Sequence, residues 1–158
     1  MTSNWQAGKT AWAIMAGIAC LIAARAHGQS DEFEAGRALW MEAGIASYTY
    51  GYHKFCECHG ELPPETVVTV REGAVVRVHH LYANSSREVP AREGSLGLYW
   101  TVEELLSLVR SAIGRDATVR VSYDDTLGYP TRLYIDYFAD TAGDEVDLSL
   151  TRFEVIEQ

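Results

Sequence analysis

Hydrophobic and polar positions recur with two different periods along this chain, and each change of period marks a new element. A helical period runs from Asp31 to Ala43, with acidic residues in its first turn and Gly44 available to end it. From Ser47 to Phe55 the period is two, which predicts a strand. One face of that strand carries Tyr48, Tyr50 and Tyr52, a stripe that favours sheet packing against a helix over a ligand platform.

A β-hairpin and a loop follow. Apolar residues alternate around Val68 and again around Val78, and Glu72-Gly73 between them predicts a hairpin with a two-residue turn. Residues 83–97 show no period and are rich in Ser, Glu, Arg and Gly, which predicts a long, solvated and mobile loop.

The clearest local signal is the start of a second helix. Thr101 and Glu104 have the spacing of a capping box, in which each side chain satisfies a backbone amide of the first turn. An apolar stripe continues from Val102 to Ile113, and Gly114 supplies the stop.

Three further strands are predicted after this helix, from alternation at 119–123, 133–137 and 146–150. Phe153 and Val155 are out of phase with the last of them, so a bulge is expected near Thr151-Arg152. Each half of the chain thus contains a helix followed by three strands. The predicted fold class is α+β, an antiparallel sheet with two helices packed on one face. The repeated order of elements suggests two related αβββ units.

The amino terminus has the order of a secretory signal. Lys9 precedes an apolar run from Ala11 to Ala24, which is shorter than the roughly 20 residues that a membrane-spanning helix needs. Small residues then offer cleavage after Ala26 or Gly28. The alternative is an uncleaved anchor or an amphipathic helix. The predicted domains are a signal peptide at 1–28 and a single α+β domain at 29–158, secreted or periplasmic, with no transmembrane segment in the mature chain.

The charge of the chain limits its partners. Its formal net charge is −9 at pH 7, and removal of the signal takes away two cations and no acid. This balance argues against nucleic acid and anionic membranes as partners. The predicted partner is an unknown protein or small ligand, the predicted state is a monomer, and no cofactor is predicted.

Two cysteines remain after the signal, Cys56 and Cys58. In an exported protein a disulfide is the default, although the Cα atoms of an extended i,i+2 pair lie roughly 6.5–7 Å apart, at the edge of disulfide reach. A free or intermolecularly paired state is one alternative. The other is a Zn or Cu site made by His53, Cys56, Cys58 and His59, although zinc sites usually space their cysteines more widely.

The segment from Tyr123 to Pro130 predicts a shaped turn. Asp124 can accept from backbone amides, Gly128 permits a positive φ, and Pro130 directs Tyr129 to an extended conformation. The alternative is a carboxylate cluster for Ca²⁺ or a basic partner, although no EF-hand spacing is present. That cluster would combine carboxylates of the turn with later ones, namely Asp124, Asp125, Asp136, Asp140, Asp144, Glu145 and Asp147.

No catalytic set is recognisable, because the chain lacks a nucleophile elbow, a Gly-rich phosphate loop and an H-E-x-x-H motif. The predicted function is a binding or interaction module without catalytic activity, with redox or metal handling through the C-x-C motif as the alternative. Because loops carry binding residues, one shared surface is hypothesised. Its tentative binding residues are Cys56, Cys58, His59, Asp124, Gly128, Tyr129 and Asp136.

Four landmarks in order carry a resemblance to a known family. They are the aromatic strand leading to Cys56-Glu57-Cys58, the V-x-V-x-x-G-x-V hairpin, the T-x-x-x-L helix, and Y-D-x-x-x-G-Y-P-T ending at Asp136. Together they resemble the bacterial domain-of-unknown-function family 6174 over roughly Trp40 to Val155. The resemblance implies export, often as a lipoprotein, and implies no activity. Cys20 lies in a poor lipidation context, which departs from the lipoprotein pattern.

Overall fold

The computed structural model describes residues 28–55, 65–82, 88–138, 141 and 143–157. The chain divides into two compact units, residues 1–32 and 33–158. Of the first unit, the helical residues 28–32 are described. The second unit contains the sheet.

Two helices and seven strands make up the described fold. Helix α1 spans 28–43 and is followed by β1 (Tyr48–Lys54), β2 (Glu65–Arg71), β3 (Ala74–Leu81) and β4 (Glu88–Pro90). A 3-10 turn at Leu96–Leu98 precedes α2 (Val102–Ile113), and β5 (Thr118–Tyr123), β6 (Pro130–Asp136) and β7 (Val146–Val155) complete the order.

The strands form one antiparallel sheet in the order β4-β3-β2-β1-β7-β6-β5. The predicted α+β class is therefore confirmed. The two halves of the sheet meet at β1 and β7, the first and last strands. The strand order alone does not test a duplication, so the kinship of two αβββ units stays a prediction.

Apolar and polar residues alternate along the strands, so the apolar side chains share one face of the sheet. That face is buried and forms the core. Tyr48 and Tyr50 on β1, Val68 on β2, Leu133 on β6 and Leu148 on β7 are fully buried. The apolar stripe of α2 is buried in the same cluster, which holds Val102, Leu105, Leu106, Val109 and Ala112. The hydrophobic effect acting on this one cluster is the main stabilising force of the fold.

The predicted start of α2 is confirmed. The Thr101 hydroxyl accepts from the Glu104 amide at 3.2 Å, and the Thr101 amide donates to the Glu104 carboxylate at 2.7 Å. The helix ends at Gly114 as predicted, but Gly114 keeps a helical φ of −68°. The left-handed residue is Asp116, at φ 57°.

Replacing Thr101 by Ala should lower the free energy of unfolding by about 1 kcal/mol, because the Glu104 amide loses its acceptor at a buried position. Thr126→Ala, at an exposed turn residue, is the matched control and should change stability by less than about 0.5 kcal/mol. Urea unfolding followed by circular dichroism measures both. Equal midpoints for the two variants would show that the capping box does not stabilise the helix.

The predicted bulge near Thr151-Arg152 is also confirmed. Thr49 pairs with Glu154 and Gly51 pairs with Thr151, so β7 has one residue more than β1 between these pairs. Arg152 takes a φ of 47°, the left-handed conformation found at the first residue of a G1 bulge. The bulge aims the Phe153 ring between the rings of Tyr48 and Tyr129, at centroid distances of 5.0 and 4.2 Å.

The segment predicted as a loop at 83–97 contains more structure than expected. Glu88–Pro90 forms β4, which pairs with the end of β3, and the 3-10 turn begins at Leu96. A strand of three residues is too short to show a period, and the Glu88 carboxylate holds it through the Arg77 guanidinium at 2.7 Å. Residues 83–87 lie outside the described part of the chain, and the mobility of the segment stays a prediction.

Candidate ligand-binding site

The tyrosines of β1 hold the chain that enters α2. The Tyr48 hydroxyl accepts from the Val102 amide at 2.8 Å and lies 3.4 Å from the Glu103 carboxylate, to which it donates. The Tyr50 hydroxyl donates to the carbonyl oxygen of Trp100. Burial raises the pKa of both phenols well above the usual value, so both stay protonated as donors. These contacts support the interpretation of the stripe as sheet packing, and they fix the segment before α2 over the sheet.

A cavity of about 670 Å³ opens beside this anchor. Its floor is the sheet, where the register places Tyr52, Thr66 and His80 directly opposite one another on β1, β2 and β3. Its roof is the turn that leads into α2. The lining residues are Tyr52, His53, Lys54, Thr66, His80, Tyr82, Gly97, Leu98, Tyr99 and Trp100.

One side of the cavity is aromatic. The rings of Tyr52 and Tyr99 meet edge to face, with centroids 5.4 Å apart. Tyr52 is buried, whereas Leu98 is 70 % and Tyr82 47 % exposed. Burial raises the pKa of Tyr52 to about 12, with Tyr99 adding to the shift, so the Tyr52 phenol is neutral at physiological pH. The cavity thus combines a fixed aromatic wall with exposed apolar side chains that a ligand can cover.

The other side of the cavity is polar and basic. The Thr66 hydroxyl lies 3.0 Å from Nδ1 of His80, which orients the imidazole, and Nε2 is the ring nitrogen that this contact does not use. Lys54, at the exposed end of β1, follows Tyr52 on the same face of the strand. Among the residues that the structure describes, the lining contains one lysine, two histidines and no carboxylate, although the whole chain has 22 acidic residues against 13 Lys and Arg.

The turn from Asp124 to Tyr129 has the predicted shape. The Asp124 carboxylate accepts from the amides of Thr126 and Leu127, at 3.0 and 2.7 Å. Gly128 has a φ of 74°, and the Tyr129 ring stacks on Phe153. Burial, followed by the charge of Asp124, raises the pKa of Tyr129. These contacts favour the structural interpretation of the turn, and the tentative binding role of its residues stays a prediction.

Gly128 also forms the seat for α1. A Cβ atom at this position would lie 2.8 Å from Cβ of Leu39 and closer still to the carbonyl oxygen of Gly36. Gly36 in turn packs against the Tyr123 ring, where a Cβ would meet ring carbons at 2.7 and 2.8 Å. Two glycines therefore allow the helix backbone to approach the turn closely.

The strand directions argue against one surface shared by the C-x-C motif and this turn. β1 is antiparallel to β7 and β7 to β6, so β1 and β6 run in the same direction. Phe55 directly follows the last residue of β1, and its amide donates to the carbonyl oxygen of Asp147 at the start of β7. The turn precedes the first residue of β6 and therefore lies at the opposite end of the sheet. Cys56, Cys58 and His59 lie outside the described residues, so the disulfide and the shared surface stay predictions.

Carboxylates do not gather into a metal site in the part of the chain that the structure describes, nor do histidines join them there. Asp136 ends β6 and so lies at the opposite end of that strand from the Asp124 turn. Asp147 forms an ion pair with Arg132, at 2.8 Å. The metal alternative at His53, Cys56, Cys58 and His59 rests on residues of which only His53 is described.

Sequence reasoning missed the cavity because its residues come from four separate segments. The His79-His80 pair does not predict a shared ligand site, because adjacent strand residues face opposite ways. That geometry is correct, but it leaves His80 on the inner face, opposite Thr66. The usable signal was the ends of two predicted strands, where Lys54 on the first and His80 and Tyr82 on the other follow the apolar core positions.

The fold and cavity define an α+β protein with one antiparallel sheet and a candidate ligand site at one end of it. No helix in the described residues is long and apolar enough to cross a membrane. Residues 32–155 match the model of DUF6174, a family of unknown function, and the chain belongs to that family. Searches of curated proteins and of solved structures found no match.

Proposed function

We propose that this protein is an exported, non-catalytic binding module that holds a small ligand in the cavity between the sheet and the turn before α2. The observation that carries the proposal is the lining. An aromatic wall faces a few oriented polar groups in a space of about 670 Å³, and ligand sites typically measure 300–1,000 Å³ with this division of apolar and polar groups.

The site is supported by rigid structure. Tyr50 fixes Trp100, Tyr48 fixes Val102, and the capping box at Thr101 fixes the start of α2. The roof is therefore held from both the sheet and the helix. A preformed site avoids the cost of ordering its own walls when a ligand binds.

Export follows from the signal-like amino terminus, and the proposed location is outside the cytoplasm, secreted or periplasmic. The rival function, redox or metal handling through Cys56 and Cys58, depends on residues outside the described part of the chain. The mass of the purified mature protein decides it. A loss of two hydrogens indicates a disulfide, and bound stoichiometric zinc or copper indicates a metal site.

Titration with Nile red, a neutral apolar dye, tests the cavity. The dye should bind saturably with one site per chain, and Leu98→Asp should weaken binding about tenfold because a charge replaces apolar contact at the mouth. Phe138→Asp is the control, since Phe138 is 68 % exposed but does not line the cavity. Absence of saturable binding, or equal losses in the two variants, would contradict the proposed site.

A further inference from the structure

We infer that the ligand of this cavity is a small aromatic acid, whose ring lies against Tyr52 and Tyr99 and whose carboxylate lies between Lys54 and His80. This inference rests on the proposed function and adds the chemical class of the ligand. It is carried by the charge of the lining and by the order of the groups along the strands.

The charge of the lining opposes the charge of the chain. The chain has a formal net charge of −9, yet the described residues that line the cavity include Lys54, His53 and His80 and no carboxylate. Lys54 is the only lysine after Lys9 in the sequence. An acidic protein that places its one remaining lysine beside an aromatic cavity has a site that selects anions over cations.

The geometry separates the apolar and the charged contacts. Tyr52 and Lys54 are successive residues on one face of β1, about 6.6–6.8 Å apart, and adjacent strands are about 4.8 Å apart. His80 is two strands away from Tyr52, across Thr66, which orients its ring. These spacings suit a ligand of one or two fused rings with an acid group at one end. The ammonium and the imidazole Nε2 then donate to the two carboxylate oxygens.

Three ligands of one shape test the inference: 2-naphthoate, 2-naphthamide and 2-naphthylmethylammonium. Isothermal titration of the mature protein should show naphthoate binding about tenfold more tightly than the amide, and the ammonium compound most weakly. Lys54→Met should weaken naphthoate about fivefold and leave the amide unchanged. Arg71→Gln is the control, because it removes one positive charge at the opposite end of β2 and should change neither affinity.

A second readout uses the single lysine. Acetylation of Lys54 by an N-hydroxysuccinimide ester, followed by mass spectrometry, should slow when naphthoate is present and not when naphthamide replaces it at equal occupancy. Equal affinities for acid and amide, or a preference for the ammonium compound, would overturn the anion inference while leaving the cavity proposal intact. Failure of all three ligands together with Nile red would refute the binding site itself.

Discussion

Replacing Gly128 by Ala is expected to lower the free energy of unfolding by about 3 kcal/mol or more. Two costs add at this position. The φ of 74° is one that residues with a Cβ adopt at a cost of roughly 1–2 kcal/mol. In addition, the new methyl group would collide with the backbone of α1 at Gly36, and backbone cannot move aside as a flexible side chain can.

The chain offers a matched control for this substitution. Gly73 has a φ of 75°, and a Cβ there would meet nothing within 4 Å. Gly73→Ala therefore reports the conformational cost alone, about 1 kcal/mol. The difference between the two variants in urea unfolding measures the contact between the turn and α1. Equal losses would show that α1 does not rest on Gly128.

Raising the pH from 9 to 11 is expected to lower the free energy of unfolding by about 4 kcal/mol. The pKa values of Tyr48, Tyr50 and Tyr52 lie above the unfolded value of 10, because burial disfavours the phenolate. The unfolded chain therefore releases protons first. The stability that these phenols contribute is complete below pH 10 and is lost as the pH rises toward the folded values, at about 1.4 kcal/mol per pH unit for each group.

Urea midpoints at pH 8, 9, 10 and 11 measure this loss. Tyr50→Phe should be less stable at pH 8, since Trp100 loses a donor, and should show a shallower fall above pH 10 because one titrating group is gone. Tyr134→Phe, which removes a phenol on the other face of the sheet, is the matched control. A slope in Tyr50→Phe as steep as that of the native chain would contradict the assignment.

Local signals in the sequence were sufficient for the elements they concern. Thr101 and Glu104 predict the helix start because a capping box needs only residues three apart. Glu72-Gly73 predicts the hairpin turn from two consecutive residues. In the structure both residues adopt a positive φ, 50° and 75°. The phase shift at Phe153 predicts the bulge. The capping box, the hairpin turn and the bulge can all be predicted because each depends on a few consecutive residues.

Features that depend on distant pairing were not predictable from the pattern. The three residues of β4 form a strand because they pair with the end of β3, and a segment this short shows no hydrophobic period in the sequence. The cavity joins Tyr52, His80 and Tyr99, which the register and the tyrosine anchors bring together from different elements. Gly36 and Gly128 lie 92 positions apart in the sequence, so their close approach could not be predicted from local patterns either.

The pairing of β1 with β7 has a consequence for the order of folding. The middle of the sheet is closed by the strands that are farthest apart along the chain, whereas its two wings are built from neighbouring strands. Closing so long a loop carries a larger entropic cost than forming either wing, and it requires the last residues to be present. The two wings are therefore expected to form first, and the pairing of β7 with β1 then joins the sheet in one late step.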